Sequence, residues 1–338
     1  MIDTLGKSSL TLHYLTAEAF AANQSSMAEN ALGAIAFGSS RPALSIANVP
    51  FAWIDMPSLD GGAAFEVWMS DKPIVHENDD GIAANRNDDI LFGCLEVDEA
   101  GDLESAGYLA YSRIFDFIDN RGYGHLLRIW NYFPRINEMV SSLERYRGFS
   151  IGRHEAFLAK GRSINAESVP AACALGTHSG PLTIYFLAAK TPGHPVENPR
   201  QTSAYHYPAQ YGPRSPTFSR AMAINTTVQS QLFISGTASI VGHETRHIGD
   251  VVSQTRETVA NIRAVIDQAV FCGQASLGND TETLLKAYVR HAEDLPVVRD
   301  QLSIAFGPKM KAIYLQADIC RSDLLVEVEG VCLNRTVR

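Results

Sequence analysis

The sequence predicts an α+β chain built from two halves that repeat one order of elements. Three observations carry this prediction. Residues 229–331 read as strand, then helix, strand, helix, strand, strand. Residues 103–190 follow a similar order from the first helix on. Between them lies a segment of different composition, 191–221, dense in Pro, Tyr and Arg. The expected division is an N-terminal half, 1–190, and a C-terminal half, 191–338.

In the first half, LESAGYLAYSRIFDFIDNRG (103–122) reads as helix and HLLRIWNYF (125–133) as strand. Helix follows within 137–160, and SVPAACALG (168–176) and LTIYFLAAK (182–190) read as strands. In the second half, QSQLFISGTASI (229–240) is a strand ending in a turn. The clearest helix is 250–270, where Val252, Val259, Ile262, Ile266 and Ala269 recur at helical spacing behind Asp250, a good N-cap. A polar turn leads to a strand at 284–291, a helix at 295–306, and strands at 311–319 and 324–331.

Composition narrows the function. With 46% hydrophobic and 19% charged residues, a substantial core is expected. A net charge of −9 argues against nucleic acid and anionic membranes as partners. It leaves room for an anionic small molecule wherever arginines converge. The five cysteines (Cys94, Cys173, Cys272, Cys320, Cys332) are scattered and never paired as CxxC, which suits a reducing cytoplasm. The start, MIDTLGKSSLTLHYL, does not read as a secretory signal, and no window is apolar enough to span a membrane. A soluble cytoplasmic protein is expected.

The terminal strand, LLVEVEGV, carries two glutamates in an apolar run. With a side-chain period of two, Glu327 and Glu329 share one face and Val326 and Val328 the other. Either that face is wet, or a carboxyl group has been placed for chemistry. The first half ends in LTIYFLA without carboxylates, so only the second can host that chemistry. In 191–221, tyrosines 205, 207 and 211 accompany Arg200, Arg214 and Arg220 on a proline-stiffened segment, which suits a planar or carboxylated ligand better than a linker. HETRH (243–247) matches the zinc-protease letters, but Gly242 and Gly249 flank it and no helix is expected there, so no metal site is expected. FGSSRP and GTASIVG lack the spacing of nucleotide-binding glycines.

Taken together, FISGTASIVGHETRHIGDVVSQTRETVANIRAVI and ICRSDLLVEVEG resemble the RidA/YjgF-like fold. With RQTSAYHYPAQYGPRSPTFSRA placed before them, the chain resembles the chorismatase family, enzymes that cleave chorismate and release pyruvate. The resemblance implies two RidA-like halves and one active site, in the C-terminal half, with Glu327 as catalytic acid. Protonating the enolpyruvyl methylene requires an acid that keeps its proton near neutral pH, and desolvation beside Val326 and Val328 would provide one. Arg153, Arg214, Arg220 and Arg290 are the candidates for holding the substrate's carboxylates, with Arg290 and Arg153 open to purely structural roles. Tyr205 and Tyr207 would line the ring pocket, and backbone amides at Gly236 and Thr237 would assist.

Cys320, seven residues before Glu327, goes in the resemblance with 3-hydroxybenzoate formation, while Ala238 departs from that type and keeps 4-hydroxybenzoate in play as a co-product. A hydrolase giving a cyclohexadiene diol is the first alternative. A RidA-type imine deaminase or small-carboxylate binder is the alternative from another class. No cofactor is implied, and a monomer or a weak homo-oligomer are both compatible.

Overall fold

Three β-sheets each carry one or two helices on one face and turn the other toward a common centre. That arrangement covers apolar strands from both sides. The structure, a computed structural model, describes residues 9–98, 102–278 and 280–335. The first eight residues, part of the stretch read for a secretory signal, lie outside the described residues.

The first sheet arises where the sequence reading assigned no elements. It contains β1 (Leu10–Thr16), followed by α1 (Ala17–Met27), then β2 (Ala31–Gly38), β3 (Phe51–Asp55) and β4 (Ala64–Ser70). The second sheet holds β5 (Val75–Asp79), β6 (Ile82–Arg86), β7 (Ile90–Val97) and, after α2 (Leu103–Asn120), β8 (His125–Pro134). A hairpin of β9 (Met139–Val140) and β10 (Leu143–Glu144) then leads into α3 (Arg145–Ala159), so the helix expected within 137–160 starts late. Strands β11 (Ala171–Thr177) and β12 (Leu182–Ala189) follow.

The third sheet contains β13 (His194–Val196), β14 (Ala221–Asn225) and β15 (Gln229–Ala238). After a small hairpin, β16 (Ile240–Val241) and β17 (Glu244–Thr245), comes α4 (Val251–Phe271), whose N-cap Asp250 accepts from the Ser253 amide at 3.0 Å. Then follow β18 (Glu282–Val289), α5 (Leu295–Phe306), β19 (Lys311–Gln316), β20 (Asp318–Ile319) and β21 (Val326–Arg335). Strand β20 crosses over to pair with β11 of the second sheet.

The duplication expected from the sequence is present in the wiring. The order β11-β8-β12-β7-β6 is matched by β19-β18-β21-β15-β14. In each set the outer pair is parallel, and the last strand of the set lies antiparallel between two neighbours. The first sheet, ordered β3-β2-β4-β1, repeats four of these strands with the same directions, and a loop replaces the second helix. Residues 1–190 therefore contain two sheets.

One core cluster draws on all three sheets, including Phe37, Trp68, Trp130, Tyr185, Phe233 and Tyr288. The helix-covered faces form separate cores, such as Ile262, Val265 and Val328 under α4. No helix among the described residues is long and apolar enough to cross a membrane.

Candidate active site

Along β21 the pleat sorts the two residue types. Val326 and Val328 pack under α4, while Glu327 and Glu329 face the centre where the sheets meet. The valines therefore do not desolvate Glu327 as expected, because they lie on the opposite face. Its burial, to 4% exposure, comes from the junction between the second and third sheets. Strand β15 is bulged between Ile234 and Thr237, and this sets Gly236 against the carboxyl group. A Cβ on Gly236 would overlap Glu327 Oε1 and stand 3.1 Å from Cys173 Cβ. The Cys320 thiol approaches Glu327 Oε2 at 3.9 Å.

These surroundings hold a proton on Glu327. Burial, and then the negative charge of Glu329, push its carboxyl up to about 8, against the opposing pull of Arg128, the Cys320 contact and Arg220. Glu329 behaves oppositely. Burial acts to raise it, but Lys286 and Arg128 overcome that and hold it below the usual carboxylate value. Two glutamates on one strand face are thus divided into an acid and an anion.

Glu327 forms part of the wall of a cavity. Tyr146, Tyr207, Tyr211 and Phe218 line it with aromatic surface, and Arg147, Arg220 and Arg321 bring guanidinium groups. That mixture suits a small ring bearing carboxylates. Arg220 donates to Thr202 O (2.7 Å) and Tyr207 Oη (2.9 Å), leaving Nε without a partner. Arg321 stacks on Tyr211 with 4.1 Å to the ring centroid, donates to His243 O at 3.0 Å, and leaves Nη2 unpartnered. Unpaired buried guanidinium nitrogens are costly and ready to pair with an anion.

Of the residues singled out in the sequence, Glu327, Cys320, Arg220, Tyr207, Tyr211, Gly236 and Ala238 line this cavity. Six others do not. Arg200 donates to Asn261 Oδ1 at 2.8 Å and pairs with Glu257 at 2.6 Å. Thr237 alternates away from Gly236, and its hydroxyl donates to Ser235 O at 2.8 Å. Tyr205 packs edge-on against His206, 4.6 Å between centroids. Arg214 is exposed and pairs with Glu155 at 2.8 Å. Arg153 is buried in α3 with its guanidinium 5.2 Å from the Phe149 ring, and it is not part of the lining. Arg290 donates to Leu324 O (2.8 Å), Arg321 O (3.0 Å) and Asp318 (2.6 Å), tying down the turn that carries Cys320.

Sequence reasoning missed Tyr146, Arg147 and Phe218, and it missed Arg321, which stands beside Cys320. Two of these had a signal: Phe218 lies in the segment already read as ligand-binding, and Arg321 is a cation adjoining a named cavity residue. Tyr146 and Arg147 come from α3 in the other half of the chain, and spacing cannot reveal that meeting.

HETRH is not helical. Glu244 and Thr245 form β17, His243 Nδ1 lies 3.2 Å from Tyr211 Oη, and His247 Nε2 faces Glu257 at 3.4 Å. The two histidines serve separate contacts. Among the described residues, no group of three or more His, Cys, Asp or Glu side chains is arranged to hold a metal ion.

Comparison with known proteins gives a consistent picture. A family profile described as "Chorismatase FkbO/Hyg5-like, N-terminal" matches residues 66–188. A 3-hydroxybenzoate synthase of Streptomyces hygroscopicus is 40% identical over 277 residues, covering 79% of this chain and 81% of that protein. A chorismatase of Streptomyces rapamycinicus is 36% identical over 337 residues, covering 95% and 98%. The crystal structure of a chorismatase superposes with a TM-score of 0.87 at 33% identity, covering 96% and 98%.

Proposed function

Because the chain belongs to the chorismatase family, we propose that it cleaves chorismate, releasing pyruvate and forming 3-hydroxybenzoate. The observation that carries this reading is Glu327, a carboxyl group buried at the wall of a cavity with unpartnered guanidinium nitrogens, where burial favours its protonated form.

Glu327 delivers its proton to the terminal methylene of the enolpyruvyl ether, and the resulting oxocarbenium ion is stabilised by the carboxylate left behind. Acid catalysis of this kind is worth about 10²–10⁴-fold. Water adds to the cation, and collapse of the adduct frees pyruvate. Loss of water from the ring then gives the benzoate, so no water is consumed overall. Arg321, Arg220 and Arg147 hold the substrate's two carboxylates, with Tyr146, Tyr207, Tyr211 and Phe218 around the ring. Cys320, at the wall beside Glu327, supports the aromatic product over the diene diol, and Ala238, directly opposite Glu327 in the ladder, is the feature that favours some 4-hydroxybenzoate.

The unpaired cysteines support a cytoplasmic location. The test is incubation with chorismate, with pyruvate followed through lactate dehydrogenase and the aromatic fraction separated by chromatography. Pyruvate with 3-hydroxybenzoate as a major product is expected. Absence of pyruvate would overturn the reading, and pyruvate with only the diol would correct the product.

A further inference from the structure

Beside the acid on its strand lies a cluster of charges outside the lining of the cavity. Lys286 on β18 bridges Glu66 of β4 and Glu329 of β21, at 2.9 Å from Glu329 Oε1, and Arg128 of β8 pairs with Glu329 Oε2. All four side chains are buried at the junction of the three sheets. Trp130 Nε1 (2.9 Å) and Tyr288 Oη (3.1 Å) also donate to Glu329 Oε1, and Trp68 Nε1 donates to Glu66 Oε1 at 2.7 Å. Burying four charges costs several kcal/mol per ion before pairing, and apolar substitutes of similar volume often serve stability as well. Stability is therefore a weak reason for this cluster.

Its position gives a better one. Glu329 follows Glu327 by two residues on the same strand face, about 6.5–7 Å along the backbone. We propose that Glu329 is the positioning residue of the acid: a permanent negative charge aimed at Glu327, kept ionised by Lys286 and Arg128. This rests on the reading of Glu327 as the proton donor.

The other groups around Glu327 do not supply that charge. Tyr288 faces it from β18, Cys173 from β11, Cys320 from beside β20 and Tyr146 from α3, and burial raises all four so that they stay neutral. The cations, Arg128 from β8 and Arg220 at the start of β14, act against the proton. Across the cavity, Arg321 is also a cation, and Glu144 is engaged with Arg147 at 3.3 Å. Glu329 stands against this surplus of positive charge.

The test is the pH profile of kcat/KM for pyruvate release. Activity needs protonated Glu327, so it falls as pH rises through the acid's pKa. In Glu329→Gln that alkaline limb moves to lower pH by about 1–2 units, with KM little changed, and activity above the limb drops about tenfold per unit. Arg128→Met moves the limb the other way, and Arg128→Lys restores it. A limb that stays in place in Glu329→Gln, or activity lost equally at every pH, overturns the proposal. If Glu329→Gln does not fold, the double variant Glu329→Gln/Lys286→Met, which removes one charge of each sign from the cluster, decides by the same downward shift.

Isotope-edited infrared titration, taken as the difference between each protein and its Glu327→Gln counterpart, reads the same carboxyl without substrate. Should chorismate yield no pyruvate, this titration still shows whether Glu329 tunes Glu327, so the two readings fail separately.

Discussion

On β12 the central face presents Thr183, Tyr185 and Leu187, paired in register with Tyr132, Trp130 and Arg128 of β8. On β21 the corresponding places hold Glu327, Glu329 and Val331, paired with Tyr288, Lys286 and Leu284 of β18. Tyr132 and Tyr288, the common reference, meet hydroxyl to hydroxyl at 2.7 Å. The two sheets share strand order and directions, yet one presents a threonine and a tyrosine where the other presents an acid and an anion. Their approaches differ as well. Strand β6 is entered through the tight turn at Asp80–Gly81, whereas β14 is preceded by 197–220, which supplies Tyr207, Tyr211, Phe218 and Arg220 to the cavity. Shared wiring supplies a rigid frame, and the chemistry resides in two side-chain positions and one covering segment.

The sharpest way to break that contrast is to make β21 resemble β12. Glu327→Thr, or the milder Glu327→Gln, should lower turnover by about 10²–10⁴-fold, because the proton donor is gone. Substrate affinity should change little, since the guanidinium and aromatic walls remain. Adding Thr183→Glu should restore nothing, because β12 lacks the covering segment. Pyruvate release and equilibrium binding measure these outcomes. Near wild-type turnover in Glu327→Gln would remove the acid from the mechanism.

How much of this could be read beforehand varied with the kind of signal. Helix α4 was legible because its apolar spacing is strict and Asp250 caps it, and α5 fell on 295–306 as expected. Glu327 was legible because a carboxylate in an apolar strand is out of place. The first sheet was not, because β2 is buried on both faces and its run ALGAIAFG lacks the alternation that marks a half-exposed strand. The arginines divided for a different reason. Arg290 sits near the terminal strands in sequence, yet its donors are spent on backbone carbonyls and Asp318. Arg321, Arg147 and Tyr146 reach the cavity through contacts between halves, which no local pattern records.

Two glycines sharpen the comparison at the next level of effect. On β15, a Cβ at Gly236 would overlap the Glu327 carboxyl, and on β7 a Cβ at Gly93 would overlap the Phe186 ring. Gly236→Ala should displace the acid and lower kcat by about 10–10²-fold, as misplacement near 1 Å does elsewhere. Gly93→Ala should cost about 1–3 kcal/mol of stability through overpacking and leave kcat in place. Thermal unfolding and steady-state kinetics on both variants separate the roles. If Gly236→Ala loses only stability, the close approach of strand and acid has no catalytic meaning.

The smallest effect concerns stability rather than turnover, and its sign follows from the proton on Glu327. Folding raises this carboxyl from 4.5 to about 8. The native state therefore keeps a proton that the unfolded chain releases above pH 4.5. The stabilising contribution is complete below that pH and is lost as pH rises through about 8. Glu327→Gln keeps the neutral shape and removes the titration, so its unfolding temperature should match wild type near pH 4 and exceed it at pH 9. With water entering as the carboxylate forms, the difference should be on the order of 1–3 kcal/mol. The corresponding residue of the other sheet, Thr183, has no proton to lose in this range, so Thr183→Val should shift the whole curve without changing its slope. A wild-type profile parallel to that of Glu327→Gln from pH 4 to 9 would mean that folding does not hold the proton, and the asymmetry between β12 and β21 would then be one of shape alone.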